Sequence, residues 1–116
     1  MVTSKSGERE QPCTGSAAIY SGRRDPEWEV PDEAARRLRE LWDSLEPARR
    51  AAPNAPALGY RGCTLNCPLH GRWFALSGVV SKDKEHRRDA DRSFERTLLQ
   101  TAPKGSLPDW VFDQLK

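Results

Sequence analysis

A chain of 116 residues has room for one small domain. Leu, Ile, Val and Phe make up only about 17% of it, yet its 19 basic residues nearly cancel its 17 acidic ones, so self-repulsion does not oppose collapse. A net charge of +2 argues against a bulk nucleic-acid binder, which gathers a basic excess, and no run of about 18 apolar residues is present to span a membrane.

Residues 1–16 hold almost nothing apolar and predict a disordered tail ahead of a single domain over 17–116. Residues 1–11 hold no apolar stretch, which predicts no secretory leader, and Glu8 and Glu10 fit poorly with a mitochondrial presequence. Three cysteines, an odd number without a leader, predict reduced thiols and a cytoplasmic or nuclear address. The first plausible strand is 17–20, Ala-Ala-Ile-Tyr. A loop over 21–28 follows it, because the Asp25-Pro26 pair biases the chain away from helix.

A helix over 31–46 is the clearest element. Pro31 opens it, Asp32 and Glu33 oppose the dipole in its first turn, and Ala34, Leu38, Leu41, Trp42 and Leu45 recur on one face until Pro47 stops it. Residues 47–57, with prolines at 47, 53 and 56, read as a stiff connector. Strands over 58–65 and 73–80 flank a turn marked by Pro68 and Gly71, which predicts a hairpin. The charged run 81–88 reads as a solvated loop. Asp89 caps a second helix running to about residue 102, and residues 106–109 start a short terminal helix that docks Trp110, Val111 and Leu115. The order β-α-β-β-α-α predicts an α+β fold with a small three-stranded, mostly antiparallel sheet packed by helices on one face.

Two clusters draw chemical interest. Cys63, Cys67 and His70 offer two thiols and an imidazole within eight residues, a set suited to redox chemistry or zinc. Geometry weighs against it: the ends of an extended 63–67 strand lie about 13 Å apart, whereas a disulfide needs less than about 7 Å. A structural zinc site wants four ligands, and the fourth would have to be Cys13 or His86. The plainer reading makes Cys63 a buried strand residue and leaves Cys67 and His70 in a loop.

The second cluster is the loop over 21–28, where Arg23, Arg24 and Trp28 combine residue types enriched at binding hot spots. Arg61 and Arg72 lie in or beside the hairpin and extend such a patch if the first strand pairs next to it. The plainer reading pairs the arginines with local acids and packs Trp28 on the first helix. No nucleotide, metal-protease, calcium or triad pattern appears, so no cofactor is expected. The sequence thus predicts a non-enzymatic interaction or regulatory domain presenting Arg23, Arg24, Trp28 and Arg61 to a protein or other acidic partner. A thiol-based redox or metal-binding protein using Cys63, Cys67 and His70 is the alternative. Trp28 exposed beside the arginines favours the first; Trp28 buried against Leu38 or Trp42 counts against it.

Overall fold

The computed structural model describes residues 12–20, 24–50 and 59–115. Within them run, in chain order, β1 (Cys13–Ala17), β2 (Glu27–Val30), α1 (Asp32–Ser44), β3 (Glu46–Pro47), β4 (Cys63–Cys67), β5 (Gly71–Leu76), β6 (Val79–Lys82), β7 (Glu85–Arg88), α2 (Ser93–Gln100) and α3 (Asp109–Asp113). The seven strands form one antiparallel sheet in the order β2-β1-β4-β5-β6-β7-β3. The α+β architecture therefore has a seven-stranded sheet, and the expected three-stranded one is corrected.

The strand expected over 17–20 lies earlier and ends at Ala17 as β1, the one expected over 73–80 is split by the Ser77–Gly78 turn into β5 and the start of β6, and β2, β3 and β7 are additional. β1, Cys-Thr-Gly-Ser-Ala, falls largely inside the stretch read as tail and carries no aromatic or β-branched residue except Thr14. Its small residues are a packing requirement. A Cβ on Gly15 would lie 2.7 Å from Cε2 of the Trp28 indole, which crosses the strand there. β2 was masked by its glutamates, yet it alternates strictly, with Glu27 and Glu29 exposed and Trp28 and Val30 buried.

The charged run 81–88 is likewise no loop: it is the greater part of the β6–β7 hairpin, reversed at Asp83 and Lys84 with Asp83 at φ 55°. Its Arg87 has partners on α1 and on β7. The Arg87 guanidinium stacks 4.2 Å over the Trp42 ring, donates to the Trp42 carbonyl and pairs with Glu85, so a cation closes the core where an apolar residue is usual. Ser77 and Gly78, both at positive φ, supply the tight turn between β5 and β6. The connector over 47–57 is extended at its first residue, where Glu46–Pro47 pairs with β7, and residues 51–57 lie outside the described residues, as do 1–11.

α1 forms as the periodicity predicts, two residues shorter at its end, and buries Ala35, Leu38 and Trp42. α2 is also present, and α3 buries Val111 while Leu115 is buried just beyond it; Trp110, expected to dock, is exposed instead. On one side of the sheet Trp28, Val30, Ala17, Cys63, Leu65, Trp73, Ala75 and Val80 meet Leu38, Phe94, Leu98 and Leu99 from the helices in a single core. The other side carries Thr14, Ser16, Thr64, Asn66, Arg72, Phe74 and Ser81, none of them buried. No helix among the described residues is long and apolar enough to cross a membrane.

Gly15→Ala tests this packing. The added methyl must displace a ring locked between strand and helix, so chemical denaturation should show a loss of about 1–3 kcal/mol. An unchanged midpoint would mean that Trp28 does not lie against Gly15.

Candidate functional site

Of the residues expected to form an arginine–tryptophan patch, Trp28 and Arg61 do not present themselves at the surface. Trp28 is 5% exposed, and its Nε1 donates to Thr101 Oγ1 at 2.8 Å, tying β2 to the end of α2. Arg61 is engaged internally: it donates to the Tyr20 carbonyl and lies 4.0 Å from Asp25. Asp25 in turn accepts hydrogen bonds from the backbone amides of Ile19 and Tyr20, so these residues brace the turn after β1. Arg24 is exposed; Arg23 lies outside the described residues, with Ser21 and Gly22.

The cysteines are paired differently from either sequence reading. Cys67 bonds to Cys13, with Cα atoms 4.2 Å apart. The β1–β4 register places Thr14 opposite Asn66, so Cys13 and Cys67 face each other across the ladder. A bridge spanning 54 residues is worth roughly 4 kcal/mol in the chain-entropy account. Cys63, four residues away on the same face of β4, is a buried free thiol. His70 is exposed in the turn, where its amide donates to the Cys67 carbonyl. Cys63, Cys67 and His70 thus do not converge, and no group of three His, Cys, Asp or Glu among the described residues could hold a metal ion. With two of three cysteines bridged, the cysteine count no longer argues for a reducing compartment.

A buried polar cluster that sequence reasoning missed lies where α2 meets the sheet. Glu95 is fully buried; one carboxylate oxygen accepts from the Tyr60 hydroxyl and the other from Arg92 Nε at 3.0 Å. Arg92 also donates to the Gln114 carbonyl, and Arg96 to that of Leu115, so α2 holds the C-terminal backbone. Asp89 accepts the amides of Phe94 and Glu95, both at 3.1 Å, which fulfils the expected cap from four residues ahead of the helix. Arg92, in the left-handed region at φ 55°, turns the chain between cap and helix.

Cys63, Tyr60 and Arg92 are shifted toward their protonated forms. Burial pushes the Cys63 thiol up, and the Glu95 charge pushes further, against a hydrogen bond from Tyr60. Burial, then the charges of Cys63 and Glu95, raises the Tyr60 phenol. Burial pulls Arg92 down, but its hydrogen bond to Glu95 and that charge outweigh it and leave it raised. A nucleophilic thiol needs the opposite shift; what the cluster's hydrogen bonds do is fix α2 against Tyr60 and the C-terminal backbone.

Among the described residues no helix covers the other side of the sheet. A shallow groove of about 380 Å³ there is lined by Thr64, Arg72, Phe74, Ser81 and Asp83. Phe74 is 36% exposed and lies over Gly62, at φ 107°, where a Cβ would come within 2.5 Å of its ring. The register sets Ser16, Thr64, Phe74, Ser81 and His86 side by side across five strands. Ser81 Oγ and His86 Nδ1 share a hydrogen bond of 2.7 Å; among the described residues no carboxylate orients the imidazole, as a nucleophile–base pair requires. Neither Arg72 nor Arg88 has an ion-pair partner among the described residues.

Two outcomes follow for the buried cluster. Tyr60→Phe strands a lone pair of Glu95 in the interior and should cost about 1–3 kcal/mol in denaturant unfolding. Cys63 and Tyr60 ionise near 9 and 10 in the unfolded chain but stay protonated when folded. Their contribution is therefore complete below those values and lost as pH rises above them. Stability of the native chain should fall more steeply above pH ~9 than that of Cys63→Ala; identical pH profiles would show that the thiol is not held protonated.

No family model, no curated protein and no solved structure matches this chain.

Proposed function

We propose that the protein is a non-enzymatic binding domain that lays an extended acidic segment of a protein partner across the helix-free side of its sheet. The observation that carries this reading is Phe74, a large aromatic left half-exposed over Gly62, beside Arg72, on the one broad face that no described helix covers. An aromatic flanked by an arginine is the kind of anchor on which binding energy concentrates. Arg72, lacking an ion-pair partner among the described residues, supplies a planar donor for carboxylates, and Thr64 and Ser81 supply hydroxyls. Asp83 at the end of the groove disfavours an acidic group beside Arg72 on that flank and so gives the site a direction.

The partner crosses the face rather than extending the sheet. Both edges are blunted: β2 presents Glu27 and Glu29, and β3 is two residues long and ends in Pro47. The expectation of an acidic partner is thus kept, while its surface moves from the loop over 21–28 to the strands β4–β7. Trp28 and Arg61 have no part in it.

Titrating isotope-labelled protein with an acidic decapeptide carrying one aromatic residue tests this. Amide shifts should cluster at Thr64, Arg72, Phe74 and Ser81, and Arg72→Glu should weaken binding roughly tenfold, about 1.4 kcal/mol. Shifts clustered elsewhere, or equal binding of a basic decapeptide, would overturn the proposal.

A further inference from the structure

The molecule keeps its three cysteines in two separate environments. We infer that Cys13–Cys67 is a reversible redox site, opened by a dithiol reductant without unfolding of the domain, and that Cys63 takes no part in the exchange.

Three observations carry this. The bridge lies at the margin of the sheet, at the first residue of β1 and the last of β4. The turn that follows β4 is exposed at Pro68, Leu69 and His70, with Leu69 64% exposed, and Pro12 ahead of Cys13 is exposed too. Both cysteines are themselves buried, Cys13 at 7% and Cys67 at 1% exposure, so a small reductant reaches the sulfurs only once that turn opens. Secondly, β1 does not need the bridge to stay in place. It is hydrogen-bonded between two neighbours, in register with β2 over 13–16 and with β4 over 14–17, and Gly15 is locked under Trp28. Both redox states consequently share one fold, which reversibility requires.

Thirdly, the remaining thiol is out of reach. Cys63 and Cys67 are four residues apart along one strand, about 13 Å, and Cys63 is buried beside Tyr60 and Glu95, where burial keeps its thiol protonated. Disulfide exchange needs a thiolate with access, so the bridge does not shuffle to Cys63.

The exchange balances as follows. A thiolate of the dithiol attacks Cys13 Sγ, the less buried of the two residues; the Cys13–Cys67 bond breaks and Cys67 leaves as a thiolate. The second thiol of the reductant then attacks its own sulfur in the mixed disulfide and releases Cys13. Two electrons pass to the protein, the reductant becomes a disulfide, and its two protons end on Cys13 and Cys67.

Native full-length protein, equilibrated in graded ratios of reduced to oxidised dithiothreitol and then alkylated with N-ethylmaleimide, tests this by intact mass. The expected result is no adduct on the oxidised chain, two adducts after reduction with an unchanged circular-dichroism spectrum, and a third only in denaturant. Cys63→Ser should keep the same two adducts with a midpoint ratio changed less than twofold. A bridge that opens only in denaturant, reduction accompanied by loss of the spectrum, three adducts on the native chain, or a midpoint shifted further in Cys63→Ser would each overturn the inference.

Discussion

A fully buried carboxylate has to be satisfied on both oxygens, and in this protein that requirement organises everything on the helical side of the sheet. Glu95 accepts from Tyr60, which precedes β4, and from Arg92, which precedes α2. Because an ion left unpaired in the interior costs several kcal/mol, helix and sheet have one acceptable relative placement. Arg92 spends another donor on the Gln114 carbonyl and Arg96 reaches Leu115, so the same requirement extends to the terminal helix. The aliphatic core supplies the bulk of the driving force; the Glu95 cluster decides in which arrangement it is collected.

The consequence for function is a division between the two sides of the sheet. Glu95, Asp89, the Trp28–Thr101 bond and the Arg87–Trp42 stack lie on the helical side. The opposite side is a transverse row of hydroxyls around one aromatic. Substitutions there meet few packing constraints, which leaves that side open to be shaped by a ligand rather than by stability. Phe74 is the exception, since Gly62 is kept without a side chain beneath it; a large apolar residue supported in this way yet half exposed is the least economical choice for a surface that only faces water.

How far the sequence could be read depended on whether an element announces itself by its own composition. α1 did, through Leu38 and Trp42 at helical spacing and acidic residues in its first turn. The turn at Pro68–Gly71 and the Asp89 cap also did, because turn and cap chemistry is local. β1 and β2 did not: their partners are each other and β4, and Gly15 is explained only by an indole thirteen residues away. β7 was hidden because the charge of Arg87 is satisfied by a ring and a carbonyl on α1, which no local window contains. The places of Trp28 and Arg61 were hidden for the same reason. The Arg–Trp loop was judged from neighbouring residues, while the fate of Trp28 was set by Thr101 and that of Arg61 by Tyr20 and Asp25.

The cysteines make the point in its strictest form. The separation along an extended strand correctly kept Cys63 and Cys67 apart, but it could not nominate Cys13, since nothing in residues 1–16 resembles a strand. Once β1 lies beside β4, the period of two does the rest: Cys13 faces Cys67, Ala17 faces Cys63, and all four project to the same side. Cys63 thus stands opposite a methyl group and next to Tyr60, which denies it a disulfide partner and leaves it a packed, protonated thiol. Cys67, one turn from solvent, is bonded instead. Two cysteines of one strand, four residues apart and on one face, acquire opposite chemistry from what the neighbouring strand places across from each.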